Sequence, residues 1–178
     1  MRLPPDDVTA RARRVRLLLF DVDGVLTDSS VVVGSTGQET KTFSIRDGAA
    51  LAWARQCGLD VGLLSGRPSE ATARRATELG IDLVIQGGPQ KREPFLGLLS
   101  ERGLSADEVA YMGDDLVDLA VMTRVGLSGA PADAAPEVAA RAHWVSTHAG
   151  GRGAVREFVE LVLRARNQWD ELVARHLE

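Results

Sequence analysis

The sequence predicts an α/β fold, a Rossmann-like parallel sheet with helices on both faces, and three observations support this. Short apolar runs bounded by glycine and small polar residues, such as LLLF at 17–20, VGLL at 61–64 and VAYM at 109–112, have the length and composition of buried strands. They alternate with helical segments of roughly ten residues, the pattern of consecutive βα units whose sheet is covered on both sides. Residues capable of chemistry then recur just past the carboxyl ends of those strands, at Asp21 and Asp23, at Ser65 to Arg67, and at Asp114 and Asp115. Ligands of open α/β sheets bind along that edge.

Taken in order, LLLF leads directly into Asp21-Val22-Asp23-Gly24. If the strand runs to Val22, a period of two places Asp21 and Asp23 on one side of the backbone, and Gly24 lets the chain turn closely behind them. Two carboxylates at a buried edge repel each other unless a cation lies between them. Mg²⁺ suits that place because it takes oxygen ligands and keeps some of its waters. A D-x-D pair alone also occurs in acidic loops, so its weight comes from its position and from partners further along. Val31 to Val33 and Thr40 to Ile45 are expected as a hairpin around the turn Gly34 to Gly37. After Asp47-Gly48, AALAWARQCG is a helix closed by Gly58.

LDVGLLSGR (59–67) is the next buried strand, and Pro68 and Ser69 open the helix EATARRATELG, which stops at Gly80. IDLVIQ (81–86) is a strand and KREPFLGLLSERG (91–103) a helix despite Pro94. VAYMGDD (109–115) is a strand, followed by the helix LVDLAVMTRVG. VGLSG (125–129) and HWVS (143–146) are further strands, separated by the short helix APEVAARA. The glycine turn AGGRG precedes a helix from about Ala154 to Arg166. The tail NQWDELVARHLE keeps Trp169, Leu172, Val173 and Leu177 at helical spacing.

At 178 residues, one domain with a substantial core is expected. A net charge of −4 offers no basic excess for nucleic acid, so a phosphate substrate needs local positive charge instead. Cys57 is the only cysteine, which excludes an intrachain disulfide and fits a reducing compartment. The opening MRLPPDDVTARARRVR has no apolar signal region, and no run approaches the roughly 18 apolar residues of a membrane span. A cytoplasmic protein without nucleic-acid or membrane partners is expected. Arg11, Arg13, Arg14 and Arg16 read as a solvated helical lead-in to the first strand.

Four blocks in this order, DVDGVLT, LLSGR, Lys91 and GDDLVD, resemble the haloacid dehalogenase superfamily of phosphotransferases. FSIRDG, LSGRPSEATARRATELGI, IQGGPQK, VAYMGDDLVDLAVM and AGGRGAVREFVELVL extend the resemblance over about residues 15–165. They point to the superfamily's phosphatases of 3-deoxy-D-manno-octulosonate 8-phosphate (KDO 8-phosphate). The resemblance implies one hydrolase domain over residues 1–178 of the capless type, with a hairpin insertion at about 28–45 and a tail at about 167–178. It implies a Mg²⁺-dependent phosphomonoesterase acting in lipopolysaccharide precursor synthesis.

Residue by residue, the resemblance makes Asp21 the nucleophile that becomes an aspartyl-phosphate. Asp23 is then the general acid and afterwards the base on water. Mg²⁺ is held by Asp21, by Asp23 through its carbonyl, and by Asp114, with Asp115 and Asp118 ordering the metal's surroundings from behind. Ser65 and the Gly66 N–H hold phosphate oxygens, Lys91 offsets charge at the reacting centre, and Arg67, Arg46 and Asp47 read the sugar acid. Blander readings stand beside these: an isolated lysine opening a helix is usually exposed, Ser65 is an ordinary turn serine, and Asp114 and Asp115 cap a helix.

The gaps between blocks hold only the hairpin and QGGPQ, leaving no room for a cap domain. The resemblance therefore implies a homotetramer associated through hairpins, in which a neighbour closes the pocket. The tail, with Trp169 and Leu172, either reaches a neighbouring site or packs on its own subunit.

Two departures, Ala52 where the family carries a basic residue and TDSS without a glycine, fall near the sugar end. They leave a phosphatase of a nine-carbon sialic-acid-type sugar 9-phosphate as the alternative. A catalytically silent assembly subunit would have lost Asp21, Asp23, Lys91 or Asp114, and all are present. GGRGAV is neither a dinucleotide nor a Walker loop and reads as a tight turn near the site mouth. His143, His148 and Cys57 match no zinc spacing, and Trp53, Trp144 and Trp169 are too scattered for a base-stacking platform.

Overall fold

Leu17, Leu18, Leu19 and Phe20, all essentially inaccessible to solvent, form β1 (Leu17–Phe20) at the centre of the sheet. The computed structural model describes residues 6–88 and 90–177. Residues 1–5, 89 and 178, which belong to the lead-in, the gap before Lys91 and the tail, lie outside the described residues. β1 pairs in parallel with β4 (Asp60–Ser65) on one side and β6 (Val109–Met112) on the other. With β5 (Leu83–Gln86), β7 (Leu127–Ala130) and β8 (Trp144–Val145), the six-stranded order is β5-β4-β1-β6-β7-β8, every neighbouring pair parallel. The chain leaves β1 toward β4 and later returns to its other side at β6, so the strand order reverses at β1. The crevice opened by that reversal lies at the carboxyl end of β1, where Asp21 follows.

Alternation along β1 divides the core. Leu18 and Phe20 pack with α1 (Asp6–Arg13), α2 (Ile45–Gln56), α7 (Ala154–Ala165) and α8 (Trp169–Arg175). Leu17 and Leu19 pack with α4 (Arg92–Arg102), α5 (Leu119–Met122) and α6 (Pro136–Ala139). α3 (Glu70–Glu78) adds Ala76 to the first layer. Phe158 of α7 anchors that layer, edge-on to Phe20 at 6.4 Å and stacked on Trp144 at 5.6 Å. Full burial of such a ring contributes about 1.5–3 kcal/mol.

Several boundaries differ from the sequence reading, each for a visible reason. The hairpin is shorter: β2 (Val32–Val33) pairs antiparallel with β3 (Glu39–Thr40), and no strand runs on to Ile45. Ser44 instead accepts the Asp47 N–H at 3.3 Å and starts α2 four residues before Ala49, where the apolar run begins. β6 ends at Met112, not Asp115, and the expected helix from Leu116 is a 3₁₀ turn (Leu116–Asp118) followed by the short α5. Both changes arise because residues 113–115 wrap around the buried Asp118 side chain. Pro94 is tolerated in the first turn of α4, where its missing N–H has no helical partner to lose.

The arginine-rich lead-in is helical as expected, with Arg13, Arg14 and Arg16 exposed, but two of its arginines also hold main-chain carbonyls. α1 buries Val8 and Ala12, and Arg11 donates to the Gly126 carbonyl (2.8 Å) while Arg13 donates to that of Ala165 (3.0 Å), the last residue of α7. These cations therefore satisfy carbonyls rather than facing only water. The tail packs on its own subunit: Trp169 and Leu172 are buried in the first layer, with Trp53 edge-on to Trp169 at 6.0 Å.

Candidate active site

The last sheet bond of the β1 segment is the Asp21 N–H to the Met112 carbonyl, at 3.0 Å. The chain then coils: the Val22 carbonyl accepts from the N–H groups of Val25, Leu26 and Thr27, and Gly24 takes φ 91°. The strand thus stops at Phe20, and the expectation of a shared strand face for Asp21 and Asp23 is corrected. Their carboxylates part, Asp21 Oδ1 lying 2.6 Å from Lys91 Nζ and Asp23 Oδ1 lying 2.7 Å from Lys41 Nζ. A Cβ on Gly24 would collide with the Asp114 carboxylate, and one on Gly150 would collide with the Gly24 carbonyl. The glycines of AGGRG therefore press backbone against backbone, and the Gly151 N–H donates to Val25 (2.9 Å), holding the Asp21 turn in place.

The second acidic group comes from the loop after β6. Asp118, fully buried, accepts four hydrogen bonds: from Tyr111 Oη (2.6 Å) and Lys91 Nζ (2.7 Å) at Oδ1, and from the N–H groups of Asp114 (2.9 Å) and Asp115 (3.1 Å) at Oδ2. That grip turns Asp114 toward Asp21, and carboxylate oxygens of Asp21, Asp114 and Asp118 come within 4.8 Å of one another. Asp115 points outward and caps Leu116 (2.7 Å) at the rim. Lys91 stands at the start of α4, its ammonium buried between Asp21 and Asp118 and donating also to Tyr111 Oη (3.3 Å).

Three carboxylates facing one ammonium leave an excess of negative charge, and the titration behaviour registers it. Burial, then the Asp118 charge, pushes Asp21 up to about 6 against the pull of Lys91. Burial, then Asp21 and Asp118, pushes Asp114 up to about 8. Lys91 is shifted upward: burial opposes its charge, but Asp21 and Asp118 outweigh burial. Asp114 Oδ1 is buried without a hydrogen-bond partner. With both oxygens of Asp118 already occupied, Asp21 and Asp114 are the carboxylates free to hold a hard, oxygen-seeking divalent cation, and the residues present fit one.

A cavity of about 360 Å³ lies over this cluster, lined among others by Asp21, Asp23, Ser65, Gly66, Arg67 and Lys91. Ser65 ends β4 and exchanges hydrogen bonds with the Arg67 main chain (3.3 and 3.4 Å), the bond of a turn serine, while lining the cavity. Arg67 reaches the rim but its guanidinium is engaged by Glu39 at 2.7 Å. Arg46 and Asp47 are not in this cavity. Arg46 lines a separate groove beside Arg152 and Arg156. Asp47 is buried, with its two oxygens accepting the N–H groups of Gly153 (3.1 Å) and Arg156 (2.8 Å). It caps the N-terminus of α7, which needs such acceptors, and has no oxygen left facing the cavity.

Lys41, Glu39 and Tyr111 were missed from the sequence. A tyrosine inside VAYM reads as core, and only its hydroxyl, which must find a partner when buried, signalled a polar neighbour. Lys41 and Glu39 lie in a polar hairpin that gives no local pattern. His143 bonds to Ser128 (2.8 Å) and His148 contacts Glu157 (3.3 Å).

Comparison with known proteins agrees with this arrangement. The haloacid dehalogenase-like hydrolase family matches residues 84–158. The 3-deoxy-D-manno-octulosonate 8-phosphate phosphatase KdsC of Escherichia coli (strain K12) is 44% identical over 93% of this chain and 88% of its own. The crystal structure of the Yersinia pestis phosphatase of the same name superposes with a TM-score of 0.91 at 42% identity, over 93% of this chain and 89% of that one. The Moraxella catarrhalis phosphatase, solved with a magnesium ion, a phosphate ion and a KDO molecule, gives 0.94 at 35% identity, over 97% and 99%. Identity of that order along nearly the whole length, on the same fold, places this chain in the 3-deoxy-D-manno-octulosonate 8-phosphate phosphatase family of haloacid dehalogenase-like hydrolases.

Proposed function

We propose that this chain is a Mg²⁺-dependent phosphomonoesterase that hydrolyses KDO 8-phosphate to the free sugar acid and phosphate. The observation that carries the reading is the cluster in which Asp21, 2.6 Å from the Lys91 ammonium, meets Asp114, one of whose buried oxygens lacks any partner. The relative solved with magnesium, phosphate and KDO supports both the cation and the substrate.

In the first half-reaction an Asp21 oxygen bonds to phosphorus as the bond from phosphorus to the sugar oxygen breaks, and Asp23 gives that oxygen a proton. In the second, water attacks the aspartyl-phosphate, Asp23 takes its proton, and Asp21 leaves as carboxylate with release of phosphate. Lys91 offsets charge on the phosphoryl oxygens, while Ser65 and the Gly66 N–H hold them. Asp118 fixes Lys91 and the Asp114 loop. Asp21, Asp114 and the Asp23 carbonyl would hold Mg²⁺, which would supply charge neutralisation between the anionic nucleophile and the phosphate dianion.

The chain works as one hydrolase domain over residues 1–178, as a homotetramer. Val32, Val33 and Ile45 are 65%, 67% and 84% exposed on and beside the hairpin, an apolar face suited to another copy, with Arg46 beside it. Among the described residues no helix is long and apolar enough to cross a membrane, and a cytoplasmic location fits a sugar phosphate substrate.

Phosphate release from a panel of sugar phosphates, assayed with purified protein and Mg²⁺, tests the reading. KDO 8-phosphate is expected to give the highest kcat/KM, and Asp21→Asn to abolish turnover with an unchanged circular dichroism spectrum. Preference for a nine-carbon sugar acid 9-phosphate would overturn the substrate, and undiminished turnover by Asp21→Asn would overturn the nucleophile.

A further inference from the structure

Lysine is almost never fully buried unless it is paired, and the side chain of Lys41, next after β3, is fully shielded from solvent. Its Nζ lies 2.7 Å from Asp23 Oδ1 and 3.6 Å from Glu39 Oε1. Glu39 is itself fixed from the other side, accepting from Arg67 Nη2 at 2.7 Å and from Ser69 Oγ at 2.9 Å. The Ser69 N–H donates in turn to Gln86 at the end of β5 (2.9 Å). The hairpin is thereby tied to the loop after β4, and the tie delivers one ammonium to one carboxylate of the cavity.

We propose that Lys41 is a positioning residue for Asp23. It draws that carboxylate to the cavity wall, away from Asp21, Asp114 and Asp118, and so stands the side chain where the sugar oxygen departs; Glu39 sets the place of Lys41. This rests on the phosphomonoesterase reading, in which Asp23 is the proton donor. It says what a hairpin of two-residue strands contributes to a site built on the sheet.

Proton donation matters for an alkoxide leaving group and little for p-nitrophenolate, so the leaving group separates positioning from general structural support. In single turnovers with enzyme in excess, which read only the first half-reaction and not the hydrolysis of the aspartyl-phosphate that both esters share, Lys41→Met is expected to lower the cleavage rate of KDO 8-phosphate by about tenfold or more and that of p-nitrophenyl phosphate by no more than about twofold. Lys41→Arg is expected to recover most of the loss. In an Asp23→Asn background, Lys41→Met is expected to add nothing, because residues acting as a unit are not additive. Equal losses on the two esters, no loss on the sugar ester, or a full additional loss in the double variant would overturn the proposal.

Circular dichroism shows whether Lys41→Met folds. If it does not, Lys41→Gln, which keeps a donor without the charge, carries the same comparison with the same overturning results. If the wild-type protein cleaves p-nitrophenyl phosphate but not KDO 8-phosphate, the substrate reading fails separately. The comparison made with an alkyl phosphate that the protein does turn over then decides the role of Lys41.

Discussion

Replacing Asp118 by asparagine exchanges one carboxylate oxygen for an amide group at a position where every approach is by a donor. Tyr111 Oη and Lys91 Nζ point at one oxygen, and the Asp114 and Asp115 N–H groups at the other. Turned either way, the amide nitrogen meets a donor that cannot reverse, the Lys91 ammonium or the two main-chain N–H groups, and the bonds that remain are to a neutral group, so the equivalent of about two charged hydrogen bonds is lost. Bonds to a charged group contribute about 1.5–3 kcal/mol each, so the loss is about 3–6 kcal/mol. Removing the Asp118 charge gives some back, because that charge helps push Asp21 and Asp114 upward; one pKa unit of relief is about 1.4 kcal/mol. The net expectation is a destabilisation of about 2–4 kcal/mol, or a Tm lowered by roughly 5–15 °C for a chain of this size. Urea unfolding of wild type and Asp118→Asn in EDTA, with calorimetry alongside, measures it. A change below about 1 kcal/mol would refute the claim that this one side chain organises both lysine and loop.

Other outcomes follow from the same geometry. Asp47→Ala is expected to cost about 2 kcal/mol by uncapping α7, seen in urea unfolding, with kcat/KM per active site preserved in the folded fraction. In metal-free protein the native carboxylates of Asp21 and Asp114 titrate near 6 and 8, above the unfolded value near 4. The folded state therefore holds more protons between those limits, and stability in EDTA is expected to fall as pH rises from about 4 to about 8; a rise over that window contradicts the assignment. By the same linkage, Mg²⁺ binding at pH 7 is expected to release protons, measurable by calorimetry in buffers of different ionisation enthalpy. Val32→Asp with Val33→Asp is expected to yield smaller particles in light scattering and weaker activity, and an unchanged mass would remove the hairpin interface.

The sheet was legible because strands covered on both faces are written as continuous apolar runs, and LLLF, VGLL and VAYM form β1, the centre of β4 and β6. The acidic cluster was legible because topology carries the ends of separate strands, and with them Asp21 and Asp114, to one edge. Their exact facing was not: whether the strand ends at Phe20 or Val22 depends on the turn that Gly24 and Gly150 permit, a tertiary contact between distant glycines. Asp47 shows the same limit. An acid after Arg46 reads alike whether it faces a ligand or caps a helix 106 residues further on. Lys41 was invisible because polar hairpins are full of lysines, and only the docked fold shows which one is shielded from water. The arginines of α1 looked like solvated charge because an exposed guanidinium and one holding a backbone carbonyl share the same local sequence.

On the proposed reading, Asp21 and Asp114, 93 positions apart in the sequence, hold one divalent cation opposite Lys91. The direct measurement is anomalous diffraction from crystals soaked in Mn²⁺ as a stand-in for Mg²⁺. One strong peak is expected within about 2.0–2.3 Å of an oxygen of each carboxylate, lost in Asp114→Asn. A peak elsewhere, or the same peak undiminished in that variant, would contradict it.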